Sequence, residues 1–193
     1  KILIVGGVAG GASAATRLRR LSEEDEIIMF EKGPHVSFSN CALPYHLSGV
    51  IDEAGKLLLM SAEKFKVQYN IEARVLSEVL SIDRKSKTVE VIDYLNNRKY
   101  TESYDKLILS PGAKPIVPKI PGIDEAKVYT IRNVVDIDKL KKSVDSLEDK
   151  TVAVIGGGFI GVEAAENLKM AGFNVSLIEG AEQILRPFDY DMV

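Results

Sequence analysis

The sequence of 193 residues contains a single cysteine, Cys41. One cysteine cannot form a disulfide within its own chain, so a disulfide framework and internal dithiol chemistry are both excluded. Any redox reaction at this thiol needs a second sulfur from the substrate, or an oxygen. So little cysteine also suits a reducing compartment, and we therefore expect a cytoplasmic protein.

Excess basic charge and long apolar stretches are also missing. The net charge is −3, so no overall positive field would attract nucleic acid. No apolar run approaches the ~20 residues that a membrane helix needs, and we expect no membrane partner. With 46% hydrophobic and 27% charged residues, the composition is typical of one or two globular domains with a substantial core.

A glycine-rich motif occurs twice, at Gly6 and again 150 residues later at Gly156. Each copy follows an apolar segment, residues 2–5 or 151–155, and precedes a helical pattern and a second apolar segment. This order predicts strand, tight turn, helix and strand, which is the βαβ unit of nucleotide-binding folds. We therefore expect an α/β protein with two Rossmann-like dinucleotide-binding units.

A glutamate ends the second strand of each predicted unit. Glu31 and Glu179 follow the first glycine of their motifs by 25 and 23 residues, near the spacing at which a carboxylate reaches a ribose. Missing side chains and the helix N-terminus favour an adjacent pyrophosphate. Because a carboxylate at position 179 would repel a 2′-phosphate, the sequence favours NADH over NADPH.

The two motifs are not equally complete. The second has all three glycines of the pattern, Gly156, Gly158 and Gly161, whereas the first has Val8 at the middle position. The alternative for either copy is a glycine turn that only lets a helix pack on a strand, and this alternative is stronger for the first copy alone than for the pair.

Between the motifs the hydrophobic pattern changes. Residues 88–91 alternate with period two, and Asn96-Asn97 offers a turn before residues 104–109, which predicts antiparallel strands. Three prolines mark an extended linker over 115–121. Apolar residues at 137, 140, 144 and 147 then fall on one face of a connecting helix that begins near Asp136.

These patterns predict three segments. Residues 1–113 form a first nucleotide-binding domain that carries the cysteine segment and a small antiparallel β insertion. Residues 114–149 form the linker and connecting helix, and residues 150–193 begin a second nucleotide-binding domain. We expect that domain to be truncated here, because a mononucleotide-binding half continues into further elements.

Cys41 lies in the segment Ser-Phe-Ser-Asn-Cys-Ala-Leu-Pro-Tyr at residues 37–45. An isolated cysteine is usually a small buried hydrophobe. Here Asn40 is a good N-cap and Pro44 suits a first helical turn, so we expect the thiol near a helix start that favours thiolate. We expect His35 and His46 to be exposed or hydrogen-bonded rather than catalytic.

Three arginines lie on the first predicted helix. We expect Arg19 to belong to a solvated charged face. Arg17 and Arg20 are three residues apart and share a face, which suits an anionic substrate such as a phosphorylated nucleotide.

Together these motifs resemble the single-cysteine branch of the pyridine nucleotide-disulfide oxidoreductases. The residues are most similar to coenzyme A-disulfide reductases and their CoA-persulfide reductase relatives, and the similarity spans the whole chain. It rests on the motif at residues 6–11, the Ser-Phe-x-Asn-Cys segment, the Ser-Pro-Gly-Ala turn at 110–113 and the second motif. It implies an FAD-dependent NAD(P)H oxidoreductase that is a homodimer at full length. This chain alone, as part of that protein, is expected to be inactive.

The resemblance also implies roles for individual residues, and no metal site. The catalytic residues would be Cys41 and Asn40. Residues expected to contact FAD are Gly6, Gly7, Val8, Ala9, Gly11, Glu31, Lys32, Ser110, Pro111 and Gly112. Residues expected to contact NADH or NADPH are Gly156, Gly158, Phe159, Ile160, Gly161 and Glu179. Residues expected to contact coenzyme A are Ser13, Arg17, Arg20, Ser37 and Asn40.

The implied reaction is reduction of CoA disulfide or CoA persulfide through Cys41. Electrons from NADH would reach a Cys41–CoA mixed disulfide through FAD, and the freed thiolate would attack the next substrate. One alternative is an NADH oxidase or peroxidase in which Cys41 cycles through a sulfenic acid. Another is a non-catalytic nucleotide-binding fragment. Asn40 and residues 43–45 favour the thiol substrate.

Overall fold

The computed structural model describes residues 1–124 and 126–193. Two compact units are present, one formed by residues 1–38 and 58–113 and the other by residues 39–57 and 114–193. In chain order the strands and helices are β1 (Ile2–Val5), α1 (Ala9–Leu21), β2 (Ile27–Phe30), α2 (Leu43–Ser48), α3 (Ala62–Tyr69), β3 (Glu72–Arg74), β4 (Ser77–Asp83), β5 (Thr88–Asp93), β6 (Arg98–Ser103), β7 (Lys106–Leu109), α4 (Val134–Asp145), β8 (Thr151–Ile155), α5 (Phe159–Met170) and β9 (Asn174–Ile178).

A parallel sheet with the strand order β3-β2-β1-β7 forms the centre of the first unit. Its central strands read as continuous apolar runs because the sheet is covered on both faces. Ile4 and Met29 pack on one face with residues of α1 and α3. Leu3 and Ile28 pack on the other face with residues of β5, which belongs to the antiparallel sheet β4-β5-β6. The first predicted βαβ unit is therefore confirmed.

The expected antiparallel strand at residues 104–109 is wrong. β7 lies parallel to β1, with Ile2 opposite Lys106 and Val5 opposite Leu109, and it completes the central sheet. β5 pairs antiparallel with β4 and with β6, and β6 is the strand that follows the turn at Asn96-Asn97. β6 has five polar residues around Tyr100, so hydrophobic alternation could not reveal it.

The second unit contains the second βαβ unit. β8 and β9 pair in parallel from Thr151 opposite Asn174 to Ile155 opposite Ile178, and α5 connects them. α2 packs against α5, and the Ser48 hydroxyl donates to Asn167 Oδ1 at 2.6 Å. This unit therefore includes the helix that follows Cys41.

The connecting helix is confirmed, with a start two residues earlier than expected. α4 begins at Val134 because the Asn133 side chain caps it, accepting from the Asp136 backbone N–H at 2.9 Å. Ile137 and Val144 are buried along the predicted apolar face. Within the described ranges, no helix has the length and apolar character needed to cross a membrane.

Arg19 is buried, which contradicts the expected solvated face. Its guanidinium uses all five N–H donors to bind backbone carbonyl oxygens at 2.5–3.1 Å. The acceptors are the carbonyls of Ser22, Glu23, Asp25, Tyr69 and Asn70. Arg19 therefore joins the end of α1 to the end of α3, a contact between segments 50 residues apart.

Candidate functional site

The first glycine turn requires glycine at two positions for reasons of packing. Gly6 has a φ of +97°, and a Cβ there would lie 1.9 Å from the Ser110 carbonyl oxygen. A Cβ at Gly11 would lie 1.7 Å from the Gly6 carbonyl oxygen. The turn therefore brings β1, α1 and the Ser110 segment into backbone contact.

The second glycine turn repeats this geometry. Gly156 has a φ of +104°, and a Cβ at Gly161 would lie 1.8 Å from the Gly156 carbonyl oxygen. The same close approach of helix and strand occurs in both units. The internal repeat predicted from the sequence is therefore a repeat of backbone geometry.

The middle position of the motif differs between the two turns. Val8 is the N-cap of α1 with a φ of −99°, and Gly158 is the N-cap of α5 with a φ of −77°. With a ψ of −178°, Gly158 has extended backbone that is open to any L-residue. A Cβ at Gly158 would also meet open space. The turn itself therefore does not require glycine at position 158.

The two predicted ribose acceptors are held in the same way. Glu31 Oε2 accepts from the Gly7 N–H at 2.9 Å, and Glu179 Oε2 accepts from the Gly157 N–H at 2.6 Å. The second oxygen of each carboxylate also accepts one backbone N–H, at 2.9 Å and 2.8 Å. Since a carboxylate can accept about four hydrogen bonds, each has capacity left for ribose hydroxyls.

The charge on Glu179 is reinforced by these contacts. Hydrogen bonds from the backbone N–H groups of Gly157 and Ala181 lower the pKa of the Glu179 carboxyl group, with a smaller contribution from nearby Arg186. The carboxylate is therefore ionised throughout the neutral range.

The remaining candidate nucleotide contacts lie around these turns. Ser110 donates its backbone N–H to the Val5 carbonyl at 2.7 Å, and Gly112 has a φ of +71°. Lys32 and Pro111 are exposed beside the first turn, as is Ala9 at the start of α1. In the second unit, Phe159 and Ile160 begin α5 and are 54% and 59% exposed. The structure therefore leaves large apolar side chains uncovered at the start of this helix.

The cysteine segment differs from the expected capped helix. Asn40, Cys41 and Ala42 form a 3₁₀ turn, and α2 begins at Leu43 with no side-chain cap. Asn40 does not cap α2, whose N-cap position is Ala42, and its Oδ1 accepts from Arg132 Nη1 at 3.5 Å. Cys41 is exposed, which contradicts the usual burial of an isolated cysteine.

The candidate coenzyme A contacts fall into both units. Ser13, Arg17 and Arg20 are exposed on α1. Among the described residues, neither arginine forms an ion pair. Ser37 has a φ of +48°, its N–H donates to the Gly7 carbonyl at 2.9 Å, and its carbonyl accepts from Leu59 at 2.8 Å. Ser37 is therefore held against the first glycine turn in a strained backbone conformation, whereas Asn40 belongs to the second unit.

His46 is a structural histidine. The residue is 4% exposed, and Nδ1 lies 2.7 Å from the Ile51 carbonyl oxygen. The expectation of a hydrogen-bonded histidine is therefore confirmed for His46. In the part of the chain that the structure describes, no group of three potential ligands is placed to hold a metal ion.

Arg132 is a candidate residue that the sequence did not reveal. It lies 92 residues from Asn40, and no local pattern connects the two positions. The only sequence signal nearby is Asn133, a good N-cap residue, which indicates a helix start but says nothing about the arginine.

Two parallel βαβ units, each with a close glycine turn and a held glutamate, define a protein of the dinucleotide-binding class. The chain belongs to the pyridine nucleotide-disulphide oxidoreductase family, whose model matches residues 1–193. This confirms the resemblance inferred from the motifs.

Individual relatives narrow the comparison. A coenzyme A disulfide reductase of Staphylococcus haemolyticus is 39% identical over 192 residues, which are 100% of this chain and 43% of that protein. The crystal structure of reduced Bacillus anthracis CoADR-RHD is 55% identical with a TM-score of 0.96, covering 99% of this chain and 34% of that one. A water-forming NADH oxidase from Lactobacillus brevis, bound to NADH, is 33% identical with a TM-score of 0.91, covering 99% of this chain and 42% of that one. The chain thus spans less than half the length of these relatives.

Proposed function

We propose that the protein carrying this chain is an FAD-dependent NAD(P)H oxidoreductase that reduces coenzyme A disulfide through Cys41. The observation that carries the proposal is the exposed thiol of the only cysteine, in a chain 39% identical to a coenzyme A disulfide reductase. The proposal extends to a homodimer, as the family resemblance implies, and to a cytoplasmic location, which the low cysteine content suits.

The two glycine turns fit the two nucleotide cofactors. We assign FAD to the turn at Gly6, where Glu31 would accept from its ribose, and NAD(P)H to the turn at Gly156. Missing side chains at the turns leave backbone N–H groups accessible to a pyrophosphate. When bound, the flavin supplies a two-electron carrier between nicotinamide and sulfur.

Glu179 supports a preference for NADH. Its carboxylate is fixed beside Gly157 by a hydrogen bond of 2.6 Å and carries a negative charge at neutral pH. A 2′-phosphate at the same place would meet like charge, whereas ribose hydroxyls can donate to the remaining lone pairs.

Cys41 would act as a nucleophile on the disulfide. Its thiolate attacks one sulfur, so that a Cys41–CoA bond forms, the original S–S bond breaks, and one CoA thiolate leaves and takes a proton from solvent. Two electrons and one proton then cleave the mixed disulfide to CoA thiol and Cys41 thiolate, and NAD(P)H is their source. Since the chain has no second cysteine, it cannot resolve the mixed disulfide itself.

The residues that the family resemblance implies as coenzyme A contacts would recognise the rest of the substrate. We assign Ser13, Arg17 and Arg20 on the exposed face of α1, with Ser37 and Asn40, to coenzyme A. Guanidinium groups without an ion-pair partner among the described residues suit phosphate oxygens, which they bind with parallel N–H donors.

Intact-mass measurement on the holoenzyme tests the proposal. The enzyme is reduced and freed of reductant, and coenzyme A disulfide is added. We expect the mass of the wild type to increase by one coenzyme A per chain, and the mass of the Cys41→Ser variant to remain unchanged. An unmodified wild type, together with full NADH consumption by the Cys41→Ser variant, would contradict the proposed mechanism.

A second candidate function is an NADH oxidase with a sulfenic acid at Cys41. The 33% identity and TM-score of 0.91 to a water-forming NADH oxidase favour it. Turnover of NADH is compared with oxygen alone and with coenzyme A disulfide under anaerobic conditions. Rapid turnover with oxygen and none with the disulfide would select the oxidase.

A further inference from the structure

Arg132 contacts the residue that precedes the sole cysteine. Its Nη1 donates to Asn40 Oδ1 at 3.5 Å in a partly buried position, and both residues belong to the second unit. Asn40 opens the 3₁₀ turn that contains Cys41. The guanidinium group of Arg132 therefore contacts the residue that is next to Cys41 in the sequence.

Both sides of this contact are anchored by packing. Arg132 directly precedes Asn133, the side-chain cap of α4, and α4 is fixed by buried Val134 and Ile137. On the other side, the 3₁₀ turn leads into α2, where Leu43 is buried. α2 and α4 pack against each other, so the positions of Arg132 and Asn40 are set by the cores of two helices.

The energetics of α4 do not explain an arginine at this position. Arg132 lies just outside the N-terminus of the helix, where the dipole disfavours a positive charge. An uncharged residue would suit the helix better. The contact with Asn40 is one interaction that a cation makes at this position.

The contact also fixes which way the Asn40 amide points. A guanidinium has donors only, so it must face the amide oxygen, and Nδ2 then points away from Arg132. Among the residues that the structure describes, Asn40 Nδ2 has no hydrogen-bond partner. The result is an available N–H donor next to an exposed thiol.

We infer that Arg132 is a positioning residue, which holds the Asn40 side chain so that its amide N–H donates to an acceptor atom of the disulfide bound at Cys41. The inference rests on the proposed function. Arg132 acts through Asn40, and it raises the rate at which the Cys41–CoA mixed disulfide forms.

A double-mutant cycle on the holoenzyme tests this inference. The rate of mixed-disulfide formation from coenzyme A disulfide is measured by rapid quench and intact mass. We expect Arg132→Met and Asn40→Ala each to slow the reaction about tenfold, as for loss of one orienting hydrogen bond. In the Asn40→Ala background, Arg132→Met should add little further loss, because its effect is relayed through Asn40.

Three controls separate positioning from structural damage. Arg84→Met, which removes an exposed arginine from the first unit, should leave the rate unchanged. Arg132→Lys retains a donor and should recover part of the rate, and it replaces Arg132→Met in the cycle should the latter fail to fold. Alkylation of Cys41 by iodoacetamide should change less than twofold in Arg132→Met, because it reports access to the thiol rather than substrate orientation.

The outcomes distinguish this inference from the proposed function. Wild type that forms no coenzyme A adduct overturns both. Adduct formation at equal rates in wild type and Arg132→Met overturns the inference alone. So does a full tenfold loss on adding Arg132→Met to Asn40→Ala, or an equal loss of alkylation rate.

Discussion

Arg19 shows how one side chain can join segments that are far apart in the sequence. All five of its N–H donors bind carbonyl oxygens, which come from two segments, residues 22–25 and 69–70. The sequence places Arg17, Arg19 and Arg20 within one turn and a half of helix, and nothing local separates them. Only Arg19 turns inward, because its acceptors include residues 50 and 51 positions away.

Replacement of Arg19 should destabilise the fold strongly. Arg19→Met would leave buried carbonyl groups without their charged donor, and we expect a loss of about 2–5 kcal/mol. The free energy of unfolding in urea measures it. Arg20→Met is the matched control on the exposed face, with an expected change within about 0.5 kcal/mol. Equal losses of unfolding free energy in the two variants would show that the buried hydrogen bonds of Arg19 do not stabilise the fold.

Glu179 makes a pH-dependent contribution to stability. Its pKa in the folded state is lowered by the Gly157 and Ala181 N–H groups, below an unfolded value of about 4.3. The stabilisation is therefore present above that value and is lost as the pH falls through the folded pKa. Glu179→Gln places an amide N–H₂ against one of the two donors, so it should be less stable than wild type at pH 7.

The difference in the free energy of unfolding between wild type and Glu179→Gln should become smaller below about pH 4. Urea midpoints from pH 7 to pH 3 measure it, with Glu182→Gln as the control in the same loop. A gap that stayed constant across this range would show that the carboxylate charge is not the source of the stability.

At the scale of elements, the two glycine turns are the most informative features. The spacing of Gly6 and Gly11, and of Gly156 and Gly161, predicted strand, turn and helix in both units because helix and strand backbones can meet only without a Cβ. Element type was predictable wherever such steric rules or long apolar runs applied. β6 was not, because its register comes from pairing with β5 rather than from its own residues.

Substitution within the second turn separates the roles of its glycines. Gly161→Ala would place a Cβ 1.8 Å from a backbone oxygen and should cost about 3 kcal/mol or more. Gly158→Ala meets open space and should cost no more than about 1 kcal/mol, since alanine is a poorer N-cap than glycine. Thermal unfolding of the two variants compares them. A larger loss for Gly158→Ala would refute this division of roles.

At the scale of the whole molecule, the repeat and the motif order were enough to predict two βαβ units and the family. The packing of the cysteine segment was not predictable. Residues 39–57 interrupt the first unit in sequence, but they pack with residues 114–193. This packing depends on tertiary contacts such as that of Ser48 with Asn167, and such contacts leave no local pattern in the sequence. For the same reason, the contact of Arg132 with Asn40 could not be predicted from the sequence.

The contact of Ser48 with Asn167 also sets an order of events during synthesis. Asn167 follows Ser48 by 119 residues. At about 5–20 residues per second, the helix after Cys41 therefore waits roughly 6–24 s for its packing partner to be made. Through that interval the thiol is carried on a nascent segment whose supporting helix has not yet been translated.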